Sequence, residues 1–194
     1  MLLKILSVRT KEKGSPLVIL TAEEEGKKIK YTITEGTYRK IGCPLSGEIV
    51  DEDSIAIITK EDEERRALAK ALSLLGYTDN NERQLLRKLV LSGFSREAAR
   101  YAIEECVRLG YIDEEKQLER LVLKYYGELL GPKKIMAKLI SKLYTRGAIS
   151  RAIQNLTERG EIDFRESKKA LLRDKLPEGA SYEEKYKLLS RYGY

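Results

Sequence analysis

The chain has 194 residues, with hydrophobic side chains at 42% and charged ones at 35%, the balance of a folded, soluble protein with a heavily ionised surface rather than of a disordered one. Histidine is absent, which removes the commonest proton shuttle and metal ligand. Cys43 and Cys106 are the only cysteines, too few for a disulfide framework or a metal knuckle, and they fit a reducing compartment.

From the start, Met1, Leu2, Leu3 and Lys4 lead into short alternation without the long apolar run of a signal peptide or spanning helix, so a cytoplasmic protein without membrane attachment is expected. Residues 2–8, 17–22 and 29–33 read as strands of a small antiparallel sheet, separated by the turn-formers Gly14, Ser15, Pro16 and Gly26. Residues 34–41 and 51–58 read as helices capped by Thr34 and Asp51. Gly42 and Gly47 have the spacing of a phosphate-binding loop, but Glu48 stands where its lysine belongs, and that site is rejected.

From Glu63 onward apolar residues recur at helical spacing. Ala67, Leu68, Ala71, Leu72 and Leu75 form one stripe, Leu85, Leu86, Leu89 and Val90 a second, and Ala99, Ala102, Ile103, Cys106 and Val107 a third. Gly76, Gly93 and Gly110 mark the expected helix ends, and Asn80 or Asn81 and Ser95 the expected starts. The pattern recurs when the numbering advances by fifty. Lys88, Leu89, Arg96, Ala98, Ala102, Ile103, Gly110, Ile112 and Asp113 are matched by Lys138, Leu139, Arg146, Ala148, Ala152, Ile153, Gly160, Ile162 and Asp163. A second step puts Leu89 and Gly93 on Leu189 and Gly193.

The expected fold is therefore mainly α, an elongated array of tandem three-helix repeats behind a β-rich N-terminal domain. The domains are 1–62 for the β-rich part, 63–113 and 114–163 for two repeats, and 164–194 for an incomplete third. Asp113 and Asp163 are expected as N-caps rather than acid sites, and half of the group Tyr101, Tyr111, Tyr125, Tyr126, Tyr144, Tyr182, Tyr186, Tyr192 and Tyr194 is expected in the core. The second repeat departs from the first in carrying Leu143 and Tyr144 where Gly93 and Phe94 stand.

Charge is uneven along the chain. Residues 1–62 hold ten basic and eleven acidic side chains, and the remainder 27 basic and 20 acidic, a net of plus seven. Between Leu129 and Thr157 lie Lys133, Lys134, Lys138, Lys142, Arg146 and Arg151 and no acid. Lys134, Lys138 and Lys142 step by four and are expected to form a positive ridge opposite Ile135, Leu139 and Leu143. Such a ridge suits phosphates or an acidic protein surface. No spacing of carboxylates and lysines picks out a catalytic pair, so neither an enzyme nor a cofactor is expected.

The run from Leu109 through Gly110, Tyr111, Ile112 and Asp113 to Glu114, the segment Gly131, Pro132, Lys133, Lys134 and Ile135, and the turn from Leu89 to Phe94 together resemble the RecX family. The resemblance covers roughly residues 63–194, and the β-rich start is similar to that of a subgroup with an added N-terminal domain. It implies a monomeric, non-enzymatic regulator that lodges on the RecA recombinase filament and lowers its ATPase, strand-exchange and coprotease activities. Weak, sequence-independent DNA binding goes with it. The rival expectation is a helix-turn-helix transcription regulator, which would dimerise on a palindrome and read bases from one helix.

Overall fold

A computed structural model describes residues 3–10 and 14–194; Leu2, where the first expected strand opens, lies outside the described residues. The elements run β1 (Leu3–Thr10), β2 (Leu17–Glu24), β3 (Lys27–Thr34), α1 (Glu35–Lys40), β4 (Ile49–Val50), α2 (Glu52–Tyr77), α3 (Glu82–Leu91), α4 (Arg96–Arg108), α5 (Glu114–Gly127), α6 (Pro132–Ser141), α7 (Arg146–Glu158), α8 (Phe164–Lys175) and α9 (Tyr182–Tyr192). The fold is mainly helical with one small antiparallel sheet at its start.

The chain divides into two compact units, one of residues 1–76 with 86–108 and one of residues 77–85 with 109–194. In the first, the strands lie in the order β3-β2-β1-β4. Alternation sends Leu3, Ile5, Val18, Leu20, Ala22, Tyr31, Ile33 and Val50 to one face, where Ile55 and Ile58 of α2 complete the core. β3 is an edge strand, and two of its outward N–H groups are taken up by α2. Asp62 of α2 accepts from the Thr32 N–H at 2.8 Å, and Glu61 accepts from that of Thr34, a cover for an edge that would otherwise template pairing with another chain.

Two helical readings are corrected here. The stretches at 51–58 and 67–75 belong to one helix of 26 residues, α2. Its charged middle is bridged by ion pairs one turn apart, Lys60 to Glu64 at 3.9 Å and Asp62 to Arg66 at 2.8 Å, so a run that looks like a break is a solvated helix face. Gly76 lies inside α2 without a positive φ, and the turn falls at Thr78 to Asn81 instead. A glycine in a helix interior costs only about 1 kcal/mol, which neighbouring packing overrides.

The rejected phosphate loop is tied to the sheet. The Gly47 N–H donates to Ile5 O at 2.7 Å, the Leu45 N–H to Glu48 Oε2 at 2.8 Å and the Ser46 hydroxyl to Leu6 O at 2.6 Å, so these donors are spent within the protein.

In the second unit, Leu118, Val122 and Tyr125 of α5, Ile135 and Leu139 of α6, and Ile149, Ala152 and Leu156 of α7 share one core with Leu130, Tyr144 and Ile162. Capping residues set the helix starts. Asn81 Oδ1 accepts from the Gln84 N–H at 2.8 Å, Ser95 Oγ from that of Ala98 at 3.2 Å, and Asp113 and Asp163 from Lys116 and Arg165 at 3.0 and 2.7 Å.

The helix ends share one closure. Gly93, Leu143 and Gly193 all take positive φ, at 92°, 67° and 87°. In each case the next N–H, of Phe94, Tyr144 or Tyr194, reaches back five residues to the carbonyl of Leu89, Leu139 or Leu189 at 3.3, 3.2 and 3.0 Å. This is the left-handed helix stop with its long-range closing bond. Leu143 adopts it despite its β-carbon, so the turn after α6 has the same form as those after α3 and α9.

Candidate nucleic-acid and partner interface

The six basic residues read from the sequence sit on α6, α7 and the turn joining them. α6 opens at Gly131, which has no side-chain cap, with Pro132 in the first helical position. Backbone from the end of α9 supplies the missing acceptor: the Lys133 N–H donates to Gly193 O at 3.1 Å and the Gly131 N–H to Tyr192 O at 2.8 Å. Both crossing residues must be glycine. A β-carbon on Gly131 would lie 2.6 Å from the Gly193 carbonyl, and one on Gly193 would lie 2.5 Å from Lys134 N and Cβ. Tyr194 fixes the same crossing, its hydroxyl 2.6 Å from Ser167 Oγ and its ring edge-on to Phe164, which in turn meets Tyr126.

Lys133 and Lys134 are exposed in the first turn of α6, and the Lys133 ammonium lies 3.5 Å from the Tyr194 carbonyl. Lys138 stands nearer the buried side, because it follows the core residue Ile135 by three positions and so lies about 60° from it around the helix axis. It is half-buried, 3.8 Å from the Glu128 carboxylate and 4.7 Å above the Tyr125 ring. It is thus partly neutralised and held by a cation–π contact.

The expected three-lysine ridge is shortened to two on the helix. α6 ends at Ser141, Lys142 is its C-cap, and Leu143 turns left-handed. Lys142 remains exposed, and its carbonyl accepts from Asn81 Nδ2 at 2.7 Å. Arg146 is exposed at the start of α7 behind the Thr145 cap. Arg151 lies one turn further along, in a cleft of about 420 Å³ that also takes in Glu82, Glu114 and Glu115.

The structure therefore gathers Lys133 with Lys134 at one end of α6 and Lys142 with Arg146 at the other, while Lys138 has Glu128 beside it and Arg151 shares its cleft with three acids and Arg83. Those acids come from outside the acid-free window. Glu128 immediately precedes it, and Glu114 and Glu115 open α5.

Fewer tyrosines are core than the stripes suggest. Tyr125 and Tyr144 are buried, whereas Tyr101, Tyr111, Tyr182 and Tyr186 are exposed. Burial pushes the Cys106 thiol up from its ordinary value, which leaves it a packing group rather than a nucleophile. No helix among the described residues is long and apolar enough to cross a membrane.

Set beside solved structures, the chain is similar to a crystal structure of regulatory protein RecX with a TM-score of 0.65, at 20% identity, over 99% of this chain and 94% of that one. Its fold is that of regulatory protein RecX. A second RecX structure, from Lactobacillus salivarius, is similar at 15% identity with a TM-score of 0.46, over 68% of this chain and 97% of that one. Residues 131–173 match the family described as MCM5, C-terminal domain, a stretch that begins at the cap of α6 and ends within α8. No curated protein matches the chain. The basic residues thus belong to two helices of a RecX-like fold and the turn between them, and the sequence signals for them were the basic run and the glycine, proline and lysine opening of α6.

Proposed function

We propose that this protein belongs to the RecX family and is a non-enzymatic regulator of the RecA recombinase. It binds the filament that RecA forms on single-stranded DNA and lowers its ATPase, strand-exchange and coprotease activities, and so acts in bacterial DNA repair, homologous recombination and the SOS response. It works in the cytoplasm, as a monomer and without a cofactor. The observation that carries this reading is the likeness to RecX over nearly the whole of both chains. The exposed cations at Lys133, Lys134, Lys142 and Arg146 support a surface for DNA phosphates or for acidic groups of the filament, with Lys138 and Arg151 at its margins.

The helical part is read as copies of one three-helix unit, over 63–113, 114–163 and part of a third at 164–194, behind a β-rich domain at 1–62. Its support is the recurrence of helix starts at Glu82, Pro132 and Tyr182, at Arg96 and Arg146, and at Glu114 and Phe164, with the shared closing bonds after α3, α6 and α9. Such units bury their apolar faces against neighbours and present surface for docking. The helix-turn-helix transcription regulator is not favoured, since the likeness that spans the chain is to a different kind of regulator.

The test is the DNA-dependent ATPase and strand exchange of RecA from the same organism, with and without this protein at micromolar concentration. Inhibition is expected, and it should weaken when Lys134, Lys142 and Arg146 are reversed to Glu. Unchanged RecA activities in the presence of the wild-type protein would end the regulator reading. Inhibition kept by the reversed variant would move the interface off this face.

A further inference from the structure

α9 differs from the other helices of its unit in that none of its residues is buried. Near its start, Tyr182 and Tyr186 are 83% and 62% exposed, and their rings lie near-parallel, 20° apart, with centroids separated by 6.5 Å. That separation is at the wide end for an aromatic pair. Both rings, side by side and one turn apart, keep most of their surface open to water.

Their position relative to the basic residues follows from helix geometry. Tyr182, Tyr186, Leu189 and Gly193 follow the i, i+4, i+7, i+11 spacing of one helix stripe. The stripe ends at Gly193, packed against the Lys134 backbone at the opening of α6. At about 1.5 Å per residue, Tyr186 stands roughly 10 Å from that crossing along the axis and Tyr182 roughly 16 Å. The ring pair and the exposed lysines of the α6 turn are therefore neighbours, within reach of a strand of a few nucleotides.

The local charges favour the same ligand. Glu183 is paired with Lys187 at 2.6 Å, and Glu184 is bound to the Ser181 N–H at 2.7 Å as part of the helix cap. Lys185, between the two tyrosines in sequence, is exposed and has no ion-pair partner among the described residues.

We propose that Tyr182 and Tyr186, with Lys133, Lys134 and Lys185, form a track for single-stranded nucleic acid, the rings stacking on bases and the ammonium groups meeting phosphates. Flat exposed rings select unstacked bases, since in a duplex the base faces are already covered. An acidic peptide would use the lysines and leave the rings idle. The track deepens the recombinase-regulator reading by giving the chain its own hold on the strand beside the filament protein.

The test uses the full chain and a short fluorescent oligothymidylate, read by anisotropy and by tyrosine emission, which is directly visible because the chain has no tryptophan. The Y182A/Y186A variant should bind the strand at least about thirtyfold more weakly, because removing each stacking ring by alanine costs roughly five- to a hundredfold and the two losses multiply. It should also lose the quenching of tyrosine emission. Y182F/Y186F, which keeps the rings, should bind like the wild type. K133E/K134E should weaken binding and lower the slope of log affinity against log salt by roughly 1.4, two phosphate contacts on a single strand. A duplex of the same length should not respond to the tyrosine changes.

Wild-type affinity in Y182A/Y186A, or tighter binding of polyglutamate than of the strand by the wild type, would overturn the track. RecA assays on the same variant separate the two readings. Lost strand binding with inhibition kept upholds the track and leaves RecA held elsewhere. Strand binding by a wild type that does not affect RecA upholds the track and sinks only the regulator reading.

Discussion

The crossing of α9 over the start of α6 can be taken apart with three glycine-to-alanine changes, because its two demands fall on different residues. Gly160 has φ of +72° and open space where a β-carbon would go. Alanine there meets only the left-handed backbone cost of about 1–2 kcal/mol, offset by about 0.4–1 kcal/mol from a less flexible unfolded chain. Gly131 has an ordinary φ of −77°, but its β-carbon would lie 2.6 Å from the Gly193 carbonyl. Alanine there meets only the overpacking cost of about 1–3 kcal/mol. Gly193 carries both demands, with φ of +87° and a β-carbon 2.5 Å from Lys134 N. Its alanine variant should lose about 2–4 kcal/mol, seen as roughly 5–15 °C in the thermal midpoint of a chain this long. Urea and thermal melts followed by circular dichroism should rank the variants G193A, G131A, G160A from least to most stable. The G131A/G193A double variant should fall short of the sum, since both changes open the same contact. A G193A midpoint no lower than that of G160A would show that the close approach does not exist.

Three further outcomes follow from single residues. Asn81 is fully buried, accepts from Gln84 and donates to the Lys142 carbonyl; N81A should cost about 2–4 kcal/mol in urea melts, for a lost cap and an orphaned carbonyl. Removing the Asp62 carboxylate in D62A frees the Thr32 N–H on the edge of the sheet, so light scattering should show concentration-dependent oligomers that D62N, which keeps an acceptor oxygen, does not form. Asp113 accepts from the Lys116 N–H and lies 2.9 Å from its ammonium, which holds its carboxyl below the usual carboxylate range. A depressed folded pKa gives stability that is present above the unfolded value and is lost as pH falls through the folded one. D113N should therefore be less stable than the wild type at neutral pH, and the two melting curves should converge in strong acid.

Much of the fold was legible because helix ends are chemically demanding. Asn81, Ser95, Asp113, Asp163 and the left-handed glycines at 93, 110, 160 and 193 are choices that few residues can fill, so they appear in the sequence as well as in the structure. β4 left no mark, since a two-residue strand is too short to show alternation. α2 was split because its acidic and basic middle reads as a boundary, whereas tertiary contact at Asp62 and helix pairing make it continuous. The candidate site was legible in part. A run of like charge says which residues are basic, but not what faces them: Glu128 meets Lys138 only because the turn after α5 folds back, through positive φ at Leu129, onto α6.

Leu143 shows why residue identity is the weaker record of such a turn. The conformation is what the fold needs, since it brings the Tyr144 N–H to the Leu139 carbonyl and sends the Tyr144 ring into the core, where it is 6% exposed. A β-carbon there costs about 1–2 kcal/mol, less than burying an aromatic side chain returns, at roughly 2–3 kcal/mol. Glycine at this position is therefore a preference rather than a requirement, and at Gly193 it becomes a requirement only because a second backbone passes within contact distance. The two glycine-like turns look alike in φ, yet only at Gly193 does alanine meet neighbouring backbone. That difference lies in tertiary packing, where no local reading of the sequence reaches.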